Sequence, residues 1–199
     1  EISFDQVFDN ARSKGVDFFE HNQKIVTVVL SNSIEYIEFL LAILMTNNIF
    51  NPVSYFTGVQ EFNKILTYIE PAFIVTDRKD IIESFSGKFQ IIDASLSNEG
   101  RKILPKSIDD ILPASLYYSS GTTGDPKSVL YSHKNMVSLI SSIIRGFDFS
   151  ANDRQLAFLP FGHTASINYN ILPSLMVGSD LYISKGFEEI RNCFFEVLK

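Results

Sequence analysis

Apolar positions recur along this chain with two alternating periods, and the alternation predicts the architecture. Ser3 is placed to cap a short helix that buries Phe4, Val7, Phe8 and Ala11 and ends near Gly15. Lys24 to Leu30 reads as a strand through Val26, Val28 and Val29. Ser33 opens a helix whose apolar residues, Ile34, Ile37, Phe39, Leu40, Leu41, Ile43 and Leu44, nearly encircle it, which predicts burial between two layers. A strand at Ile49 to Val53, a helix at Gln60 to Glu70 stopped by Pro71, a strand at Phe73 to Thr76, a helix at Lys79 to Phe85 and a strand at Phe89 to Ile92 continue the series. Ser95 to Lys102 is polar and reads as a loop.

Further on, Ala114 to Tyr118 and Ser128 to Tyr131 read as strands. Ser132 caps a helix with Met136, Ile140, Ile143, Ile144 and Phe147 on one stripe, ending at Gly146. Gln155 to Leu159 (strand), Thr164 to Val177 (helix, carrying Pro173), Leu181 to Ser184 (strand) and Phe187 to Leu198 (helix) complete the chain. Such alternation over the whole length predicts an α/β fold, a layered and largely parallel sheet with helices on both faces. Ligands in such folds bind at the carboxyl ends of strands.

Composition narrows the class. In 199 residues, 45% apolar side chains suffice for a core. A net charge of -6 with no basic cluster argues against nucleic acid as a partner. The longest apolar run, Phe39 to Met45, is too short for a transmembrane segment. Cys193 is the single cysteine, so no internal disulfide is expected and a cytoplasmic setting fits. No His/Cys cluster has metal-ligand spacing.

One stretch concentrates the chemistry, Tyr117 to Ser128, which reads Y-Y-S-S-G-T-T-G-D-P-K-S directly after a predicted strand. Gly121 and Gly124 let the backbone approach a ligand, Ser119, Ser120, Thr122 and Thr123 offer hydroxyl donors, and Lys127 adds a mobile charge. The inventory suits a polyphosphate. Gly121 to Ser128 comes within one residue of a P-loop, G-x-x-x-x-G-K-[ST], but Pro126 stands where the second glycine belongs and removes a backbone donor. A P-loop also leads into a helix, whereas Ser128 to Tyr131 reads as extended.

Tyr118 to Asn135 closely resembles the phosphate-binding signature of the adenylate-forming superfamily, [YT]-x-S-G-T-T-G-x-P-K-G-V-x-x-x-H-x-N, and departs from it at Ser128, where the family carries glycine. That superfamily includes acyl- and aryl-CoA synthetases, luciferases and the adenylation domains of peptide synthetases. Leu159-Pro160-Phe161-Gly162-His163, with Leu172-Pro173-Ser174-Leu175 and Gly178 downstream, is similar to its L-P-x-x-H segment, Gly162 replacing a residue that is often aromatic.

The resemblance implies the amino-terminal subdomain of the adenylate-forming fold. It also implies an enzyme that joins a carboxylic acid to ATP, giving an acyl-adenylate for transfer to CoA or a carrier-protein thiol. Ser119, Ser120, Gly121, Thr122, Thr123, Gly124 and Lys127 would then bind the nucleotide, with Thr123 and Lys127 catalytic, and Phe161, His163 and Ser166 would face the acid. Peptide-synthetase domains tend to carry an aspartate in the second segment. None lies between Phe161 and Ile171, which favours a plain acyl or aryl acid.

The family's later segments, including the glutamate that binds Mg²⁺, do not occur here. Residues 1–199 are therefore expected to form a partial AMP-binding domain, inactive alone, without the rest of the large domain or the small mobile one. The alternative is a non-catalytic nucleotide-binding or scaffold protein derived from the fold. His133 is expected to serve structure at a helix start, His21 to be solvated, Asp109-Asp110 to form a charged turn, and Cys193 to be buried in a helix.

Overall fold

The computed structural model describes residues 1–95, 101–119 and 127–197. In chain order the elements are α1 (Phe4–Lys14), β1 (Ile25–Val29), α2 (Ile34–Met45), β2 (Ile49–Pro52), α3 (Val59–Ile69), β3 (Phe73–Thr76), α4 (Lys79–Phe85), β4 (Gln90–Asp93), β5 (Pro113–Ser119), β6 (Lys127–Ser132), α5 (His133–Phe147) and β7 (Arg154–Ala157). After these come α6 (Thr164–Ser166), a π-helical turn (Ile167–Ile171), α7 (Leu172–Val177), β8 (Asp180–Ile183), α8 (Phe187–Ile190) and α9 (Phe194–Val197).

The main sheet has the order β4-β3-β1-β2-β5-β6. Its first five strands are parallel and β6 returns antiparallel along β5. The expected fold class holds. Strand periodicity divides the core accordingly. Val26, Val28, Phe50, Phe73, Val75 and Tyr117 pack under α1 and α2 on one face, while Ile49, Ile74 and Leu116 pack under α3 and α4 on the other. The terminal strands β7 and β8 leave this sheet and form a parallel pair of their own. Helix α2 is buried nearly all round because this pair and the loop after β7 cover the side that α1 and the main sheet leave open.

Helix starts follow the sequence closely. Ser3 and Gln6 form a capping box on α1, and Ser33 accepts a hydrogen bond from the Tyr36 N–H on α2. Ser132 and Asn135 form a second box on α5, with 3.1 Å bonds in both directions. Asn135 thus has a defined local duty, satisfying the Ser132 N–H.

Several expectations need correction. Phe8 is 37% exposed, on the solvent side of α1. His21 is half-buried and packs edge-on against Phe73 at 4.8 Å. Helix α5 continues one residue past Gly146 to Phe147 and stops where Asp148 takes a left-handed conformation. The last helix is split in two by a turn at Arg191–Cys193, so Cys193 is only partly buried and its Sγ donates to the Ile190 carbonyl. The helix from Thr164 to Val177 carries a π turn, because Pro173 supplies no N–H to the Tyr169 carbonyl. The Leu172 N–H instead bonds five residues back to Ile167.

Two parts of the sheet need explanation because they set the positions of the hairpin and of helix α5. Strands β2 and β5 share one registered pair, Phe50 with Ser115. Beyond it the buried Asn51 side chain takes over, donating to the Leu116 carbonyl at 2.8 Å while accepting from the Thr27 hydroxyl at 2.8 Å. A polar tie therefore crosses β1, β2 and β5, and each of its buried groups has a partner. The start of α5 is docked on the Asp109–Leu112 turn, His133 N–H donating to Leu112 O and Lys134 N–H to Asp110 O.

His133 carries a pH signature. Its Nε2 is enclosed without a hydrogen-bond partner among the described residues, and burial lowers its pKa below the ordinary 6.5. A depressed folded-state pKa means that the unfolded chain binds more protons in the window beneath 6.5. The stability due to the neutral ring is therefore complete above that value and is lost as pH falls towards the folded pKa. Urea denaturation between about pH 7.5 and about pH 5.5 should show a steeper loss of stability in the native protein than in His133→Gln, and equal slopes would contradict this origin.

Candidate functional site

The carboxyl ends of β1, β2 and β5 share one edge of the main sheet, and two segments of interest start from it or rest on it. The first is the β5–β6 hairpin. Tyr118 pairs with Ser128 and Ser119 with Lys127, so the strands close towards the chain segment 120–126. Ser120, Gly121, Thr122, Thr123, Gly124 and Pro126 lie outside the described residues. Lys127 opens β6 as an exposed residue. The residues after it form a strand and not a helix, which removes the P-loop alternative in the way Ser128 to Tyr131 predicts. Ser128 itself sits in the ladder. The described non-glycine residues with left-handed backbone are Gln23, Asn47, Glu70 and Asp148, so a side chain at 128 strains nothing.

The second segment is the loop after β7. The buried Asn32, just beyond β1, donates from Nδ2 to the Leu159 and Ser184 carbonyls, both at 2.9 Å, and accepts at Oδ1 from the Phe161 N–H at 2.8 Å. Tyr36, on the first turn of α2, donates its hydroxyl to the Phe161 carbonyl at 2.6 Å. Burial raises the Tyr36 pKa well above its ordinary 10.0, so the group remains a donor.

Gly162 lies against the exit of β2. A Cβ there would stand 2.6 Å from the Ser54 backbone N and Cα and 2.7 Å from the Val53 carbonyl carbon, and backbone cannot yield as a side chain can. That exit is itself fixed. The Arg78 guanidinium, after β3, donates to the Tyr55 carbonyl at 2.7 Å and the Thr57 carbonyl at 2.6 Å while pairing with Asp80.

The course of this loop is the central geometric fact. It is tied to the end of β1 at Asn32 and abuts the end of β2 at Ser54, and β2 is the neighbour of β5 in the sheet.

Of the three residues expected to face an acid, two are enclosed and one is exposed. Phe161 is buried, its ring edge-on to Tyr36 at 5.2 Å. Ser166 is also buried and its hydroxyl donates to the Leu159 carbonyl at 2.8 Å. His163 is exposed. Its Nδ1 accepts the Ala165 N–H at 3.1 Å, capping α6, which places the proton of a neutral ring on Nε2. A small crevice beside the loop is lined by Ser31, Asn32, Tyr55, Phe56, Gly162 and Lys185, among others.

Asn32, Tyr36 and Arg78 carry no signal in the sequence that marks them for this site. An asparagine between a strand and a helix reads as turn chemistry, and no local period marks a partner 127 residues away. Among the described residues no group of three or more His, Cys, Asp or Glu side chains could hold a metal ion, and no helix is long and apolar enough to cross a membrane.

The carboxyl edge of the sheet thus carries the β5–β6 hairpin and a histidine-bearing loop. The chain belongs to the AMP-binding enzyme family, whose sequence model matches residues 13–199. It is 32% identical over 117 residues to 4-coumarate--CoA ligase 4 of Arabidopsis thaliana, a match that covers 56% of this chain and 20% of that protein. It is 23% identical over 159 residues to a feruloyl-CoA synthase of Amycolatopsis, covering 77% of this chain and 32% of the synthase. Its fold is that of the amino-terminal subdomain of adenylate-forming enzymes. ATP-bound MatB of Rhodopseudomonas palustris superposes with a TM-score of 0.82 at 19% identity, over 96% of this chain and 42% of MatB. The chain thus spans less than half the length of each of these relatives.

The Gly162 contact makes a direct prediction. Gly162→Ala should destabilise the fold by about 1–3 kcal/mol, since the added methyl forces the loop away from Ser54. Chemical denaturation measures it, and a change smaller than about 0.5 kcal/mol would mean that the two backbones are not in contact.

Proposed function

We propose that this chain forms the nucleotide- and acid-facing part of an AMP-forming ligase. The enzyme joins a carboxylic acid to ATP, releases pyrophosphate and passes the acyl group from the adenylate to the thiol of CoA or a carrier protein. The course of the 159–163 loop carries this reading. It sets an exposed histidine at the ends of β1 and β2, and β2 pairs with β5, the strand that leads to the hydroxyl-rich segment.

The chemical difficulty is one of charge. A carboxylate must approach the α-phosphate while pyrophosphate departs, so fixed donors and cations have to offset accumulating negative charge. Ser119, Ser120, Thr122 and Thr123, with the N–H groups around Gly121 and Gly124, would hold the outer phosphates. Lys127 would add a point charge at the first position of β6, and Thr123 would act with it. His163 would present Nε2–H to the reacting carboxylate, with Phe161 and Ser166 as the wall that holds its loop. Mg²⁺ would enter with the ATP and offset part of its phosphate charge.

A plain aryl or acyl acid fits better than an amino acid. The segment from Phe161 to Ile171 contains no aspartate to receive an ammonium group. The unstrained strand position of Ser128 gives no support to a binding protein that has lost the reaction.

Acid-dependent exchange of pyrophosphate into ATP, measured on the enzyme that carries this chain with a panel of aryl and acyl acids, tests the reading. Exchange is expected with at least one such acid, and Lys127→Ala should lower kcat/KM by about 10²-fold. Absence of exchange with every acid, or an unchanged Lys127→Ala variant, would overturn it.

A further inference from the structure

We infer that Asn32 and Tyr36 are positioning residues of the acid-activating site, fixing the 159–163 loop and through it the direction in which His163 presents Nε2–H. This role rests on the ligase reading above.

Both polar groups of the Phe161 residue are held by side chains from one place, the entry of α2. Its N–H goes to Asn32 Oδ1 and its carbonyl receives the Tyr36 hydroxyl. The preceding Leu159 carbonyl takes two donors, Asn32 Nδ2 and Ser166 Oγ. The platform is rigid. Ser33, between the two positioning residues, caps α2, and the helix is buried over most of its length. Asn32 uses both donors and its acceptor on backbone, at 7% exposure, and Tyr36 is fully enclosed.

From Phe161 the constraint passes along covalent neighbours. Gly162 is stopped by the Ser54 backbone, the His163 N–H closes a turn on the Pro160 carbonyl at 3.0 Å, and the ring is tied to the Ala165 N–H. The imidazole is thereby reached from α2 through successive fixed contacts. A histidine meant to meet a carboxylate gains from such restraint, because a misplacement of about 1 Å can cost about 10²-fold in rate.

A tie that served folding alone would, when cut, lower stability and leave the two substrates equally affected. A positioning role separates them. Tyr36→Phe removes the hydroxyl and keeps the packed ring, and Asn32→Ala removes the amide's bonds to Leu159, Phe161 and Ser184. The imidazole ¹⁵N spectrum at about pH 8, where an ordinary histidine is neutral, should show His163 as one Nε2–H tautomer in the native protein and a shift towards tautomer averaging in both variants. In the pyrophosphate exchange assay the acid KM should rise about tenfold in Tyr36→Phe, with the ATP KM within about twofold of native.

A native imidazole spectrum in Tyr36→Phe, or an equal rise in both KM values, would overturn the inference, and Tyr36→Phe decides the matter if Asn32→Ala fails to fold. If the imidazole spectrum responds while the native enzyme shows no acid-dependent exchange, the ligase reading falls and the positional effect stands.

Discussion

One buried amide, that of Asn32, holds together two parts of the molecule that the backbone ladders leave separate. The main sheet and the β7–β8 pair share no strand pairing among the described residues, and α2 lies between them. An asparagine enclosed at this junction would cost about 1–3 kcal/mol for each polar group left unmet. Here all its groups are met by carbonyls and an N–H belonging to residues 159, 161 and 184. The requirement to satisfy the amide therefore fixes where the second sheet sits. Because Phe161 is one of the partners, it also fixes the wall of the candidate site.

The same logic recurs one strand over. Parallel strands β2 and β5 begin to separate after a single registered pair, and Asn51 bridges the opening by bonding Leu116 while Thr27 orients it. Such a group contributes little net stability when paired and costs much when orphaned, so its effect is chiefly on which arrangement is allowed. Together, Asn32 and Asn51 tie to the central strands the two segments on which the proposed chemistry depends. Arg78 completes the set by holding the β2 exit against which Gly162 rests.

Much of this fold is legible in the sequence because its causes are local. Ser3, Ser33 and Ser132 announce their helices through capping that reaches three residues ahead, and the nearly circumferential apolar pattern of α2 announces burial on every side. Local signals fail where a distant contact decides. Phe8 has helical phase but meets no second layer, and the apolar period of Phe187 to Leu198 does not reveal the turn that divides it. Pro173 is visible as a breaker, yet its remedy, a wider turn just before it, depends on which carbonyl loses its donor. For the site, the resemblance of Tyr118 to Asn135 and of Leu159 to His163 locates the two segments. The residues that hold the second one, Asn32 and Tyr36, are 125 or more positions from their Phe161 and Leu159 partners, and no spacing rule reaches that far.

The central claim is that the carboxyl-end edge of this sheet, and no other surface, receives the nucleotide and the acid. Hydrogen–deuterium exchange of the protein with and without ATP and an aryl acid tests it most directly. Slowed exchange should be confined to segments 117–129 and 159–165. Unchanged exchange in both segments, or protection at the opposite edge around Asn47-Asn48, Pro71-Ala72 and Asp109-Asp110, would contradict it.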